Sequence, residues 1–595
     1  MGQLHRRFDA SSRGSWLSIV PIWLGLGLCT AFALLRAWDV DRHSSDYTLC
    51  QGCFFLPTLG HDAWVLSALA GSLAIAVLVP LRWLRMLLRV VAAIVLLAMG
   101  LDTALLLLAA QRLHFTDVLK FVGDMGNNWS VASSGLLTSA GMPRLLLGLI
   151  CIATVITLCL PGERKPRHGI ALLVIAFGWA GFAALSSGGL NYVHEEKLRN
   201  LVENNLRSDR LVDFSAAFVT SARELSKSLP VTCESRPAQK PDVIFLLVES
   251  LSSYQSKLLG GPEDWTPGLD ALAREHHYLR HFHANGFTTI GGEIALLTGR
   301  PPFYPPGLLN ASLDYFKPSG EGFVDVAHRN GYTASFFTSE DTTFLDIGAR
   351  LHRLGFDKVD GSEAPFYQGM KRYTFGAAED KALFDRYLQW LDQGGSGERG
   401  NISLLMTVSG HPPFVDPVTG IPSEERTFRY VDAQVVRFQH ELAQRGFFDH
   451  GVLLILGDHR SMTPLRPGEL QQFGERAFSR VPLIVVGDVV MPKVVDAPFQ
   501  QTDLLPSLRD LFGERVCISP FQGLLFRHEP IPPEYTVHAR GDDRDRIDVY
   551  GAGRALWGYH TNGDASHWIS ETPADAQRIA AWITMRRTDT GQPEN

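Results

Sequence analysis

The chain has 595 residues, of which 46% are hydrophobic and 20% charged, and its formal net charge is −7 at pH 7. This length exceeds one ordinary domain, and an acidic balance without a basic tract excludes a protein that binds nucleic acid through its phosphates. The mean hydropathy of +0.03 averages two unlike parts. Long apolar segments lie before residue 190, and the pattern of a soluble α/β domain follows.

Five apolar segments predict five transmembrane helices. Each is close to the roughly 20 residues that a helix needs to cross a bilayer, the fourth being the shortest. Buried helices of a soluble core are the alternative, but no soluble fold needs five such segments in succession. The first segment is also too long, and lacks a convincing cleavage site, to be a signal peptide. The segments are 16–38, 63–79, 90–110, 145–160 and 170–185.

Positive charges in alternate loops predict the orientation of these helices. Arginine and lysine residues precede the first segment and recur in the loops 82–89 and 164–167, whereas the other loops hold few, with Arg112 and Lys120 as exceptions. By the positive-inside rule the amino terminus is cytoplasmic. Because the number of spans is odd, everything after the fifth is expected outside the cytoplasm.

Three features of the outer and membrane segments leave alternatives open. Asp102, in the third segment, is either functional or a helix-pairing residue, and the sequence reveals no partner for it. Cys50 and Cys53, in an outer loop, are either paired with each other or free. Cys233 and Cys517, further along the chain, are either bridged or free.

The soluble part follows two amphipathic stretches, 112–143 and 190–228, which lie against the membrane or the soluble domain unless they are plain connectors. From 241 to about 530, strand-like and helical segments alternate, which predicts a mostly parallel sheet with helices on both faces. The predicted domains are a five-span transmembrane domain at 1–190, amphipathic linker helices at 191–240, an extracytoplasmic α/β domain at 241–530 and its C-terminal extension at 531–595.

Two apolar strands that are far apart in the sequence each end in residues that bind hard metal ions. Strand 242–248 ends in Glu249, and strand 452–456 leads through a glycine to Asp458 and His459. In α/β folds, ligand-binding side chains collect at the carboxyl ends of strands. One Asp-His pair is usually a surface turn, but the two strand ends together predict a divalent metal with mainly oxygen ligands. Mn²⁺, Zn²⁺ and Mg²⁺ all fit such a set.

The stretch 286–299 predicts a loop that opens a short helix. A threonine hydroxyl at a helix start meets unpaired amide groups and the positive end of the helix dipole, which favour an alkoxide and an incoming phosphate. Thr288 or Thr289 could instead serve only as the helix cap. With the three strand-end ligands as neighbours, a threonine oxygen could complete the metal site, and the metal would then lower the pKa of its hydroxyl.

Six motifs follow one another through the outer domain: Val248-Glu249-Ser250, Thr289 with Glu293, Gly376 to Phe384, Ser409 to Phe414, Gly457-Asp458-His459 and Gln501 to Pro506. Together they resemble the membrane-anchored branch of the alkaline phosphatase superfamily, which includes lipoteichoic acid synthases, periplasmic glucan phosphoglycerol transferases and phosphoethanolamine transferases. Five spans before a sulfatase-like domain is also the layout of lipoteichoic acid synthase.

The resemblance implies an enzyme of the bacterial inner membrane whose catalytic domain lies in the periplasm. Thr289 would be the nucleophile, since it stands four residues before Glu293 as the family's threonine stands before its acid. His411 corresponds to the family's substrate-side histidine and would protonate the leaving alkoxide or hold a phosphate oxygen. The implied ligands of one divalent ion, Mn²⁺ first, are Glu249, Thr289, Asp458 and His459.

The sequence departs from the family where the substrate head group binds. Lipoteichoic acid synthases carry a Trp and an Arg where this chain has Leu345 and Ile347, so their glycerophosphate pocket does not transfer to this sequence. Arg350, about one turn further on, could substitute. Arg460, directly after the metal ligands, either contacts phosphate or forms a salt bridge. The head group is therefore left open between phosphoglycerol and phosphoethanolamine.

The implied reaction moves a head group from phosphatidylglycerol or phosphatidylethanolamine to an envelope glycan or glycolipid through a phosphothreonine. A formylglycine-dependent sulfatase is disfavoured, because no Cys/Ser-x-Pro-x-Arg pentapeptide occurs in the chain. The alternatives are a membrane-anchored phosphodiesterase or sulfatase-type hydrolase and, from another class, a non-catalytic envelope scaffold or sensor. The complete ligand set argues against the last.

Overall fold

The computed structural model describes residues 19–48, 53–109, 111–115, 118, 142–160, 164–186, 198–208, 214–303, 321–395, 400–553, 555–569 and 572–588. The chain divides into two compact units. The first comprises Met1–Phe115 and Ser139–Asp209, and the second comprises Thr116–Thr138 and Arg210–Asn595.

The described part of the first unit is helical. Four of its helices, α1, α2, α3 and α5, are long and apolar enough to cross a membrane. The fourth helix is also apolar but shorter, over Leu146–Leu158. A helix therefore lies at each predicted span, although only four reach membrane length among the described residues. The helices are α1 Val20–Thr48, α2 Phe55–Leu78, α3 Arg82–Ala109, α4 Met142–Leu158, α5 Pro166–Ser186 and α6 Leu201–Ser208.

Buried charges of the first unit form ion pairs. The guanidinium of Arg112 donates two hydrogen bonds to the carboxylate of Asp102 on α3, at 3.1 and 3.0 Å. Arg36 of α1 is similarly paired with Asp62 of α2 at 2.7 Å. Asp102 thus has the partner that the sequence did not reveal.

Replacing Asp102 with Ala is expected to destabilise the first unit strongly. Both side chains of the pair are nearly inaccessible, with exposed fractions of 4% for Arg112 and 3% for Asp102. Removing one partner of a buried pair typically costs about 3–5 kcal/mol, because the remaining charge stays buried without its counter-ion. Thermal unfolding in detergent measures the effect, and Asp102→Ala combined with Arg112→Leu should recover much of it. Equal stability of Asp102→Ala and the wild type would contradict this prediction.

The second unit is an α/β domain. Its strands are β1 Thr232–Glu234, β2 Asp242–Val248, β3 His277–Leu279, β4 Phe282–His283, β5 Thr333–Thr338, β6 Lys358–Asp360, β7 Asn401–Met406, β8 Gly451–Gly457, β9 Arg480–Val481, β10 Leu483–Val486, β11 Val494–Val495, β12 Phe499–Gln500, β13 Val516–Ile518, β14 Thr536–Ala539, β15 Arg546–Tyr550, β16 Leu556–His560 and β17 His567–Trp568. Its helices are α7 Ala216–Ser226, α8 Pro267–Glu275, α9 Thr289–Thr298, α10 Phe323–Arg329, α11 Ile347–Leu354, α12 Asp380–Asp392, α13 Glu424–Gln444, α14 Pro467–Phe473, α15 Leu504–Leu511 and α16 Ala576–Thr588.

The central sheet has eight strands in the order β11-β3-β10-β8-β2-β7-β5-β6. Five of its seven pairings are parallel, and the two that involve β10 are antiparallel. Alternate residues of β2 face opposite sides, so that Val243 and Phe245 join one core while Ile244 and Leu246 join the other. The first core takes side chains from α9, α10, α11 and α15, and the second from α8, α12 and α13. The predicted fold class, a mostly parallel sheet between two layers of helices, is confirmed.

Smaller elements surround the central sheet. Strands β14 to β17 form a separate antiparallel sheet. Residues of α16, including Trp582 and Ile583, share a buried cluster with Val537 and Val549 of that sheet. This sheet and α16 lie within the predicted C-terminal extension.

A disulfide closes one of the two cysteine pairs that the sequence left open. Cys233 of β1 is bonded to Cys517 of β13, and the two strands pair antiparallel at this position. The bond joins residues that are 284 positions apart. Of the other pair, Cys50 lies outside the described residues, as does most of the stretch 112–143.

Candidate metal centre

The predicted metal ligands lie at the carboxyl edge of the central sheet. Glu249 follows β2 directly, Asp458 and His459 follow β8, and Thr289 is the first residue of α9. Strands β2 and β8 are parallel neighbours whose last residues pair with each other. Glu249 and Asp458, each the next residue along its strand, are therefore placed side by side by the strand register.

The four side chains meet closely enough to share one ion. Ligand atoms of Glu249, Asp458 and His459, all buried, lie within 4.8 Å of one another. Nε2 of His459 is 3.2 Å from Oδ2 of Asp458 and 3.5 Å from Oε1 of Glu249. Oγ1 of Thr289 lies 3.1 Å from Oε2 of Glu249 and 3.4 Å from Nε2 of His459. The structure thus brings together all four residues that were predicted from the sequence.

Hydrogen bonds engage the outer atoms of Asp458 and His459 and leave the atoms that face the other ligands for a cation. Oδ1 of Asp458 accepts from the backbone N–H groups of Ser250 and His459, both at 2.8 Å, while Oδ2 is buried and accepts no hydrogen bond. Nδ1 of His459 lies 2.8 Å from the carbonyl oxygen of Arg460. A carbonyl only accepts, so Nδ1 carries a proton and Nε2 is the nitrogen that faces the carboxylates, where it can bind a metal ion once it is deprotonated. Two carboxylates and a basic nitrogen aimed at one point fit a divalent cation.

The turn after β2 is built around Ser250. Its backbone φ of +59° lies in the left-handed region, which residues other than glycine seldom adopt. In this conformation its N–H donates to Asp458, and its hydroxyl donates to Oε1 of Glu249 at 2.8 Å. One residue therefore orients two of the ligands, which is a reason for the protein to tolerate a disfavoured backbone conformation there.

Electrostatics within the group favour a positive charge at this place. Burial and the negative charge of Glu249 raise the pKa of Asp458 well above its ordinary range. Burial lowers the pKa of His459, but the charges of Asp458 and Glu249 outweigh this and raise it to about 9. Protons and a metal ion therefore compete for the same group of side chains.

Metal affinity is accordingly expected to rise with pH up to about 9, the pKa of His459 without the ion. Raised pKa values mean that the metal-free group is protonated at lower pH, so the ion must displace protons to bind. Each displaced proton weakens binding by up to about tenfold per pH unit below that pKa. Calorimetric Mn²⁺ titrations of the full-length chain in detergent, in buffers of different ionisation heat, measure affinity and proton release together. An affinity that does not change with pH would contradict the assignment.

The two adjacent threonines have different surroundings. Thr288 is the N-cap of α9, and its hydroxyl accepts from the backbone N–H of Gly291 at 3.1 Å. Thr289 starts the helix and directs its hydroxyl to Glu249 and His459.

A Cβ atom added to Gly292 would lie 2.5 Å from the carbonyl oxygen of Asp458, so only glycine lets α9 approach the end of β8 this closely.

His411 lies on the loop that follows β7, the other parallel neighbour of β2. Its Nδ1 is 2.6 Å from the carbonyl oxygen of Pro412, so Nδ1 carries a proton and Nε2 is the nitrogen left for a substrate. Burial lowers the pKa of His411, while the charge of Glu249 acts in the opposite direction. A Cβ on Gly410 would lie 2.2 Å from the carbonyl oxygen of Glu249, so this loop passes directly over the ligand strand.

The two arginines predicted as substrate contacts are both paired with carboxylates. Arg460 donates to Glu469 through Nε and Nη2, at 3.0 and 2.6 Å. Arg350 donates to the buried carboxylate of Glu293 at 2.8 Å, one turn after the start of α9. The salt-bridge alternative therefore describes Arg460, and contact of either guanidinium with phosphate stays a prediction.

Asp380, at the start of α12, supports the site without having been predicted as a site residue. Its Oδ1 accepts from the backbone N–H groups of Val408 and Ser409, both at 3.0 Å, and thereby anchors the loop that carries His411. Burial raises its pKa to about 6. The sequence placed Asp380 within the motif from Gly376 to Phe384, which could have marked it as a site residue. The motif does not show which loop the carboxylate of Asp380 binds.

Glu340 is a second acid that was not predicted. It is buried and lies just beyond β5, at the same sheet edge as the metal ligands. Burial, together with the charges of Glu249 and Glu293, raises its pKa well above the ordinary range. The signal available in the sequence was its position after a third apolar strand.

The family profile named Sulfatase matches residues 241–514. Over these residues the chain is similar to the Sulfatase family. Lipoteichoic acid synthase 2 of Bacillus subtilis (strain 168) is 20% identical over 352 residues, which is 55% of this chain and 53% of that protein. Lipoteichoic acid synthase 1 of the same organism is 22% identical over 308 residues, 46% of each chain. The chain spans about half the length of these curated relatives. The resemblance that the motifs indicated is confirmed.

Solved structures of similar fold cover the sulfatase-like domain. A protein in the alkaline phosphatase superfamily from Vibrio parahaemolyticus has a TM-score of 0.48 at 18% identity, over 63% of this chain and 97% of that one. The lipoteichoic acid synthase LtaP from Listeria monocytogenes has a TM-score of 0.47 at 16% identity, over 62% and 97%.

Proposed function

We propose that the protein transfers a phosphorylated head group from a phospholipid to an envelope glycan or glycolipid, at the outer face of a bacterial inner membrane. Phosphatidylglycerol is the first candidate donor and phosphatidylethanolamine the second. The observation that carries the proposal is the buried group of Glu249, Asp458 and His459 with Oγ1 of Thr289 at 3.1 Å from Glu249. The sulfatase profile, the membrane-length helices and relatives named lipoteichoic acid synthase support it.

The proposed reaction consists of two successive displacements at phosphorus. One divalent ion held by Glu249, Thr289, Asp458 and His459, Mn²⁺ first and Zn²⁺ or Mg²⁺ otherwise, would supply positive charge that lowers the pKa of the threonine hydroxyl. The threonine hydroxyl gives its proton to water, and the resulting alkoxide Oγ1 of Thr289 attacks the donor phosphorus while the bond from phosphorus to the diacylglycerol oxygen breaks. The positive end of the α9 dipole stabilises the negative charge on the phosphoryl oxygens.

His411 handles the proton on the substrate side. Burial disfavours the imidazolium form of His411, but the negative charge of the bound donor favours it. With Nδ1 fixed on the Pro412 carbonyl, Nε2 of that imidazolium protonates the departing diacylglycerol oxygen in the first displacement. In the second displacement an acceptor hydroxyl attacks the phosphothreonine, gives its proton to Nε2, and Thr289 is released. Charge on the transferred phosphoryl group is spread over its equatorial oxygens, so positioning and fixed positive charge contribute most of the rate.

Hydrolysis is the second candidate, because the matching profile is that of sulfatases and water can attack the same phosphothreonine. One assay separates the two. Full-length protein in detergent receives phosphatidylglycerol or phosphatidylethanolamine labelled in the head group, together with a membrane glycolipid fraction. Transfer predicts metal-dependent release of diacylglycerol with the label in the acceptor. Label recovered only as free head-group phosphate would establish hydrolysis, and no diacylglycerol from either lipid would overturn the proposal.

A further inference from the structure

Phe375 adopts a disfavoured backbone conformation beside the candidate active site. Its φ of 56° and ψ of 30° lie in the left-handed region, and Gly376 follows with a φ of 67°. A bulky aromatic residue rarely enters this region, and such conformations persist only where the surrounding structure enforces them. The chain therefore turns sharply here and directs the Phe375 ring to a specific place.

The ring of Phe375 lies between two other rings. On one side it stacks on Phe344, with centroids 4.4 Å apart and an interplanar angle of 21°. On the other side it meets the imidazole of His411 edge to face, at 4.5 Å and 74°. Phe344 is only 4% exposed, so it is a fixed support for the half-buried Phe375. Offset and edge-to-face contacts of this kind are the favoured aromatic geometries.

The imidazole of His411 is thus held from two directions. The hydrogen bond from Nδ1 to Pro412 ties one edge of the ring to its own loop, at 2.6 Å. One hydrogen bond does not by itself prevent rotation of the His411 imidazole. The edge-to-face contact with the Phe375 ring restricts that rotation. Asp380 fixes the loop itself through the N–H groups of Val408 and Ser409. Only Nε2 remains unengaged by these contacts.

We infer that Phe375 is a positioning residue, which holds the His411 imidazole so that Nε2 faces the leaving oxygen of the donor. The inference rests on the proposed function. As the bond from Thr289 to phosphorus forms, the bond from phosphorus to the diacylglycerol oxygen breaks, and this oxygen takes its proton from Nε2 of an imidazolium. In the second displacement the acceptor hydroxyl gives its own proton to Nε2, which restores the imidazolium.

This role predicts a dependence on the leaving group. A diacylglycerol alkoxide is a strong base and leaves slowly unless it is protonated, whereas p-nitrophenolate leaves readily without a proton. General acid catalysis contributes roughly 10²–10⁴-fold where it is needed. Phe375→Ala should therefore slow diacylglycerol release from the lipid donor by about 10²-fold and change hydrolysis of a p-nitrophenyl phosphodiester by less than about threefold.

Three variants separate positioning from general support of the fold. Phe375→Leu keeps apolar volume without a ring and should show the same selective loss as Phe375→Ala. Phe375→Trp keeps a ring against His411 and should restore much of the lipid reaction. Phe366→Ala is the matched control, because Phe366 is also half-buried but packs on Tyr367, with ring centroids 5.2 Å apart. It should leave both reactions near wild type.

All variants are assayed as full-length proteins at equal metal content. Their unfolding temperatures are measured, and the assay temperature lies below all of them. Equal losses of both substrates in Phe375→Leu, or no loss in either, would overturn the inference while leaving the proposed function intact. A wild-type protein that releases no diacylglycerol from any lipid would overturn the proposed function, and this inference with it. The expected result is the selective loss in both ring-free variants and its rescue by tryptophan.

Discussion

Replacing Thr289 with Ala is expected to abolish diacylglycerol release, by at least about 10³-fold, because the covalent acceptor of the head group is lost. The hydroxyl of Thr289 lies 3.1 Å from Glu249 and 3.4 Å from His459, whereas the nearby hydroxyl of Ser250 bonds to Glu249 alone of these two. Thr289→Ser should retain part of the activity, since it keeps the oxygen and loses only a methyl group. Turnover of labelled lipid at matched metal content is the measurement.

Thr288 provides the control one residue away. Its hydroxyl caps α9 by accepting from Gly291, so Thr288→Ala should cost about 0.5–2 kcal/mol of stability and leave the reaction largely intact. Full turnover by Thr289→Ala together with a dead Thr288→Ala would move the nucleophile by one residue. Full turnover by both would remove the support for a covalent mechanism.

Replacing Asp458 with Asn is expected to remove both the bound metal and activity while keeping the shape of the side chain. Asp458 is fully buried and supplies Oδ2, which has no hydrogen-bond partner, to the ligand group. The amide lacks the negative charge that a divalent ion requires of this set, and it would direct either a neutral oxygen or an N–H at the ion. Glu249→Ala and His459→Ala should behave in the same way, with the fold largely spared.

Asp432→Asn is a matched control for this experiment. Asp432 is also a buried acid, but its oxygens accept from the backbone N–H groups of Gly268 and Leu269 at the start of α8. It should affect stability and leave metal content unchanged. Elemental analysis of purified variants, with lipid turnover on the same samples, measures both effects. Stoichiometric metal and normal turnover in Asp458→Asn would show that Asp458 is not a ligand.

The strand ends were the part of the site that the sequence revealed best. Parallel strands buried on both faces appear as continuous apolar runs, so the ends at Glu249 and Asp458 are visible as the first polar residues after each run. The position of Thr289 followed from the pattern of a loop opening a helix, and its choice over Thr288 rested on the family spacing. The spans were equally visible as apolar segments, although α4 proved shorter than membrane length.

Contacts between distant segments were not visible in the sequence. The partner of Asp102 is Arg112, which follows α3, and recognising the pair requires knowing how the chain turns after that helix. The contact of Phe375 with His411 depends on a left-handed backbone at Phe375, which residue type alone does not predict. The bond between Cys233 and Cys517 likewise depends on the pairing of β1 with β13.

Mass spectrometry of the peptide that contains Thr289 tests the central claim most directly. Metal-loaded, full-length protein is incubated with phosphatidylglycerol or phosphatidylethanolamine without an acceptor, quenched in acid and digested. The account predicts a phosphoglycerol or phosphoethanolamine adduct on Thr289, which is absent from Thr289→Ala and from Asp458→Asn. Diacylglycerol release at the normal rate with no adduct on Thr289, or with the adduct on another residue, would contradict it.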